Sequence, residues 1–397
     1  MSTTLRQAVV LTAANIKSLP RRIWISASMI ASVALVVIVL IGFLAMAAGF
    51  ERTLEQAGSD KVAVILGPGA RDERGSEIGA ALAQALAAAP EIEIGAEGKP
   101  LISRELVVAV DAPRQNTGAL ETVALRGMDT VGVTLREGIS LTAGRMFTPG
   151  AAELIVGDGV SGRFAGLAIG NTIRFGSSDW TVVGSFNAGG SAFGSEIWAD
   201  IGAVQALFDL QGKVQTLRAA VSGPEAVTTL SERLNADATT EATIVSERDF
   251  FAAQSGRVAR LIRLFGWPVA ILMAIGATAG ALNTMLSSVS DRATEIATLR
   301  TVGFSRFAAF VSTWIEAVLL TLVGAALGAV ISVLVYSGWQ TATSGGNAAQ
   351  ITFALSVTPG VMLKAGLLAL MIGLIGGALP AIRAARMPLT SAMQMRG

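Results

Sequence analysis

The chain has 397 residues, 52% of them hydrophobic and only 15% charged, with a formal net charge of +1 and a mean hydropathy of +0.59. Soluble globular chains carry about a quarter charged residues, so part of this one faces lipid. It has no cysteine and no histidine, which excludes thiol chemistry, disulfides, the usual Cys/His zinc sites and every Ser-His-Asp or Cys-His arrangement; the near-neutral charge, with no basic run, argues against a nucleic-acid partner.

Residues 1–22 form an N-terminal segment with Arg6, Lys17, Arg21 and Arg22. The stretch 23–48 follows without a charge, longer than the about 20 residues that cross a bilayer as a helix. Ala45-Met46-Ala47 resembles a signal-peptidase site, but signal peptides have apolar runs of only about 7–15 residues, so 23–48 reads as a retained span.

Residues 49–256 are enough for one or two compact units. Segment 61–66 reads as a strand, with Gly67-Pro68-Gly69 as a turn. Segment 76–89 reads as a helix capped by Ser76 and ended by Pro90. Strands are expected at 101–110, 121–127, 153–156, 172–175 and 180–183, a helix after Asp200, a strand at 217–221 and a helix opened by Pro224. The alternation predicts an α+β domain with a β-rich insertion. The pairs Asp72/Glu73 and Glu91/Glu93 are the acid–base candidates. No third group can be placed beside them, so they read as solvated surface and the chain as no enzyme.

Arg257, Arg260 and Arg263 fall at a spacing of three on one helical stripe, the polar face of a stalk that leads into a span. Stalk and span together occupy 257–290, the span itself 264–290 with Trp267-Pro268 at its entrance. Further spans lie at 307–336, interrupted only by Glu316, and at 361–380, with Lys364 near its start. Loop 337–360 has no charge; loop 291–306 and the tail 381–397 are basic, with Arg292, Arg300 and Arg306, then Arg383, Arg386 and Arg396. By the positive-inside rule both termini and 291–306 are cytoplasmic, and 49–256 is outside.

In loop 291–306, Asp291 suits a helix start and Gly303 its C′ position. Arg292 and Glu295 can pair at i, i+3, with Ile296 and Leu299 on a neighbouring stripe and Arg300 in the last turn. This predicts a short amphipathic helix offering two apolar knobs, suited to docking a soluble partner by the helix-in-groove mode. The spans carry Gly276/Gly280, Gly324/Gly328 and Gly373/Gly377, a spacing that permits close helix contact. Asn283 and Glu316 are polar at membrane depth and call for partners, which reads as interhelical glue or placement near the cytoplasmic interface, with a functional gate as the alternative.

Glu295-Ile296, Leu299-Arg300 and Gly303, with Glu316, Pro380-Ala-Ile-Arg-Ala-Ala-Arg386, Pro388 and Asn15-Ile16, resemble the FtsX/MacB/LolC/DevC family of ABC transporter permeases. Gly127-Met-Asp129, Gly170-Asn-Thr-Ile173 and Val182-Val-Gly184 resemble MacB-type periplasmic domains. The only Gly-Lys pairs, Gly98-Lys99 and Gly212-Lys213, precede Pro100 and Val214, so neither is a Walker A loop.

The resemblance implies an inner-membrane permease that works as a dimer, of like or unlike chains. Each would recruit a cytoplasmic ABC ATPase, which binds the ATP and Mg, at 291–303. Motion would pass through the stalk to the periplasmic domain, for export through a periplasmic adaptor and an outer-membrane channel. Lipoprotein extraction and switching of a cell-wall hydrolase are the alternatives within the same family.

Overall fold

The computed structural model describes residues 3–18, 23–344 and 350–387; Arg21, Arg22, Pro388 and Arg396 lie outside the described residues. In chain order the elements begin with α1 (Thr3–Ser18), α2 (Ile23–Glu55), β1 (Val62–Leu66), α3 (Ala80–Ala87), β2 (Ile102–Pro113) and β3 (Leu120–Met128). Next come α4 (Val131–Thr134), β4 (Ser140–Gly144), β5 (Glu153–Gly157), β6 (Thr172–Phe175), β7 (Ser178–Asn187) and β8 (Glu196–Asp200). Then follow α5 (Ile201–Leu207), β9 (Thr216–Ala220), α6 (Pro224–Leu234), β10 (Thr243–Ser246), α7 (Glu247–Asp291) and α8 (Ala293–Thr301). The last are α9 (Arg306–Tyr336), β11 (Gln340–Ser344), β12 (Gln350–Ala354) and α10 (Pro359–Arg386). The chain divides into a helical unit (Met1–Ala48, Arg260–Trp339, Leu355–Gly397) and a sheet-bearing unit (Gly49–Ala259, Gln340–Ala354).

In the helical unit α2, α7, α9 and α10 are each long and apolar enough to cross a membrane, at the four places the sequence marks. Glycine sets how closely they pack. A β-carbon at Gly324 or Gly328 would come within 2.8 or 2.7 Å of the Ile30 or Ala34 carbonyl oxygen on α2. Gly373 and Gly377 of α10 lie in the same way against Thr321 and Ala317 of α9. Gly276 and Gly280 differ: open space surrounds both, and Asn283, on the same side of α7, is exposed. α7 also corrects an expectation, because Pro268 stands inside the helix and not in a first turn. Lacking an N–H, it leaves the Leu264 carbonyl without a helical donor.

The sheet-bearing unit is α+β. Strands β1 to β10 form one sheet in the order β10-β1-β9-β2-β3-β8-β5-β7-β4, with β6 also paired to β7. β7 alternates buried and exposed residues over its length, the period of a half-buried strand, whereas β1 is buried throughout. One core gathers Trp180, Leu106, Leu125, Ile197 and Val204. A second lies under α3 and α6 and includes Ile65, Leu82, Leu86, Leu217 and Leu230. The Asp200 carboxylate accepts from the Ala203 N–H and caps α5, and Pro224 opens α6, as the sequence indicates. Ser76 caps no helix: its hydroxyl accepts from Gly67 N–H and donates to the Gln215 carbonyl, and α3 starts four residues later at Ala80.

The uncharged loop at 337–360 contains a β-hairpin, β11–β12. The hairpin is seated on the rest of its unit. The Thr352 N–H donates to Ser195 Oγ at 2.9 Å, and Phe353, 3% exposed, meets Phe50 edge to face at 5.4 Å.

Candidate functional site

The turn from α7 through α8 to α9 is built around Arg292. Its backbone, at φ −104° and ψ 13°, interrupts the helix between Asp291 and Ala293. Asp291 therefore ends α7 and does not start the next helix, correcting the sequence expectation. The Arg292 side chain turns inward: Nη1 donates to Glu316 Oε2 at 2.9 Å and Nη2 donates to Asn15 Oδ1. Glu295 approaches Nε at 3.7 Å, from an exposed position. Arg292, Glu316 and Asn15 are all buried, so one guanidinium joins α1, α9 and the start of α8.

α8 is anchored along the rest of its length. Leu299 and Phe304 pack on Ala8 and Leu11 of α1 and Ala308 of α9. Gln7 of α1 accepts from the Ser305 N–H at 3.1 Å. Arg300 donates to the Met387 carbonyl. Gly303 has φ +106°, a value that favours glycine at a helix C′ position. Leu299 is thus not the free knob that periodicity suggests. Ile296 is half-buried and lines a shallow groove with Leu11, Asn15 and Thr313. The exposed apolar residue of this turn is Val302, at 75%, flanked by exposed Thr298 and Thr301, while Asp291 and Glu295 are exposed charges on the same turn.

The stalk arginines lie on α7, Arg257 and Arg260 exposed and Arg263 half-buried. Of the intramembrane polar pair, Glu316 is joined to Arg292 and Asn283 faces outward; the two are not brought together.

The sheet-bearing unit holds a charged cluster that the sequence reading missed. Glu105 Oε2 accepts from Arg126, Arg136 and Arg218 at 2.9, 2.7 and 3.0 Å. Glu73 bridges Arg126 and Arg218 at 2.8 and 3.1 Å. Glu196 holds Arg126 at 2.7 Å, and Glu247, the first residue of α7, pairs with Arg218. Burial pushes the Glu105 carboxyl up, but Arg136, Arg218 and Arg126 outweigh it and hold its pKa at about 2. Burial likewise opposes the charge on Arg126, and the surrounding carboxylates raise it well above its ordinary value. Glu73, at 1% exposure, is therefore not solvated surface, and Glu91 is paired with Arg233 at 2.6 Å. Of its central charges only Arg218 stands alone in its strand; β2 also carries Arg104 and Asp111 and β3 also carries Glu121, so strand composition gave little signal.

Two family profiles cover nearly the whole chain: the MacB-like periplasmic core domain matches residues 26–237, and the FtsX-like permease C-terminal domain matches 268–389. The chain belongs to the FtsX/MacB family of permeases. The macrolide export ATP-binding/permease protein MacB of Escherichia coli K12 is 32% identical over 137 residues, 34% of this chain and 20% of that protein. The Shigella flexneri protein of the same name matches equally, so the chain spans about a fifth of the length of these curated relatives. The solved periplasmic region of MacB from Actinobacillus actinomycetemcomitans matches 49% of this chain and 92% of its own, at 15% identity and a TM-score of 0.37. The extracellular domain of the transporter YknZ from Gram-positive bacteria matches 47% of this chain, at 12% identity and a TM-score of 0.35.

Proposed function

We propose that this FtsX/MacB permease couples ATP hydrolysis by a partner ABC ATPase to movement of its MacB-like domain on the far side of the membrane. The ATPase docks on the α8 turn from the cytoplasm, where the basic residues of that loop and of both termini place it by the positive-inside rule. ATP and Mg are held by the ATPase. The observation that carries the reading is the Arg292–Glu316–Asn15 junction. With it in place, a push on α8 cannot be absorbed by a loose loop and moves α1, α7 and α9 together. α7, which ends next to this junction, begins in the sheet-bearing unit at Glu247 and continues into the helical one, so it transmits the motion, with α2 (Ile23–Glu55) as the second helix that runs through both units.

The transporter works as a pair of permeases. Supporting this, Gly276, Gly280 and Asn283 share an outward side of α7, and an amide facing lipid is costly until another helix covers it. The output is export through a periplasmic adaptor and an outer-membrane channel.

Affinity purification of the chain from native membranes in mild detergent, with mass spectrometry of its companions, tests the reading. An ATPase with an adaptor supports export. An ATPase with a lipoprotein chaperone or a wall hydrolase replaces export with extraction or signalling. Absence of any ATPase, where a control transporter keeps its own, overturns the coupling.

A further inference from the structure

A polar cavity of about 500 Å3 lies in the sheet-bearing unit between the β2–β3 turn and the β11–β12 hairpin, lined by Arg114, Glu121, Arg163, Gln340, Gln350 and Thr352 among others. That volume falls within the range of small-molecule sites, roughly 300–1,000 Å3.

Local backbone pairing brings the two arginines together. Arg114 forms an isolated antiparallel bridge with Phe164, and the Gln115 N–H donates to the Arg163 carbonyl at 2.8 Å. Both guanidiniums flank one carboxylate: Arg114 Nε lies 3.2 Å from Glu121 Oε1, and Arg163 Nη2 lies 3.8 Å from Glu121 Oε2. Two positive charges thus share one negative charge, and among the described residues the lining has no further charged one. Burial and then the neighbouring Arg114 charge lower the pKa of Arg163, as expected where the single carboxylate under-compensates the pair. The surplus is positive, which disfavours a cation, and the amide and hydroxyl walls disfavour an apolar guest.

Paired guanidiniums favour an oxyanion such as phosphate or carboxylate. Chain position selects the source. Gln340 stands four residues after Tyr336, the end of α9, and four residues reach at most about 14 Å. The hairpin wall is therefore threaded between two membrane-spanning helices, where phospholipid headgroups are the concentrated oxyanion. We propose that this cavity binds the phosphate of a phospholipid headgroup between Arg114 and Arg163. The site is independent of the ATPase-docking turn and stands or falls without it.

The test uses the full chain in mild detergent, loaded with phosphatidylglycerol and read by native mass spectrometry. Retained lipid should fall about tenfold in Arg114→Gln and in Arg163→Gln, the loss of one charge-assisted contact, and should not fall in Arg174→Gln, an exposed arginine elsewhere on the unit. Arg163 also donates to Thr352 Oγ1, so its variant could loosen the hairpin; Arg114, at 43% side-chain exposure, is the cleaner probe. Lipid loss in Arg163→Gln alone would mean hairpin loosening and overturns the proposal, as does equal retention in all variants. A second arm adds inorganic phosphate to the loaded wild type. Displacement of the lipid by phosphate at matched concentration overturns the lipid source in favour of a free oxyanion.

Discussion

Arg292 and Glu316 form a 2.9 Å ion pair between the α7–α8 break and α9, with both side chains buried. Removing one partner of such a pair leaves an uncompensated charge, whereas replacing both with apolar groups of similar size is far milder. Glu316→Ala should cost about 3–5 kcal/mol of stability, read as a lower thermal unfolding midpoint in detergent. The double change Arg292→Met with Glu316→Met should recover most of that loss. If the double variant were as unstable as the single one, the pair would not be the source of the effect.

Docking of an ATPase on α8 is best probed at Val302. Leu299 is packed on α1 and α9, so a charge there would disturb the fold as well as any contact. Val302→Asp adds a charge at an exposed position and should leave the unfolding midpoint within about 0.5 kcal/mol of wild type. It should also abolish co-purification of the ATPase. Normal recruitment by this variant would move the docking surface elsewhere.

The glycine pairs are not equivalent. Gly328→Leu forces a side chain into the α2 backbone at Ala34 and should lower expression and unfolding midpoint. Gly280→Leu has open space and should leave the single chain stable while shifting the detergent-solubilised protein from dimer to monomer in size-exclusion chromatography with light scattering. A dimer that survives Gly280→Leu would remove this side of α7 from the interface.

Acid should weaken the sheet-bearing unit through Glu105. Its folded-state pKa is depressed from 4.5 to about 2. The unfolded state therefore binds the proton first as pH falls, and stability present above pH 4.5 is progressively lost towards about 2. Near-ultraviolet circular dichroism across that window should show the loss. Glu105→Gln should flatten the dependence, but at lower stability at neutral pH, because three guanidiniums lose their shared anionic acceptor.

Local pattern carried much of the architecture into the sequence. Length and hydropathy suffice for α2, α7, α9 and α10, since a bilayer imposes one requirement on each span independently of the others. Asp200, Pro224 and Gly303 were legible for the same reason, because capping and positive φ are decided within a few residues. The α8 segment was visible as a helix, but its orientation was not. Periodicity defines a stripe without saying what covers it, and α1, from the other end of the chain, covers Leu299.

What the sequence by itself determined is a four-span permease of the FtsX/MacB family with a large α+β domain, because hydropathy, caps and family motifs are properties of contiguous residues. Only the tertiary structure decided which charges are buried and with whom. Glu73, Glu105, Arg126 and Arg218 lie far apart in the chain, and each alone reads as surface. Long-range strand pairing brings β2, β3 and β9 side by side, and there the opposite charges keep Glu105, Arg126 and Arg218 ionised against the pull of desolvation. The same holds for Arg114 and Arg163, and for Arg292 with Glu316 and Asn15: a charge becomes interpretable only when the fold supplies its partner.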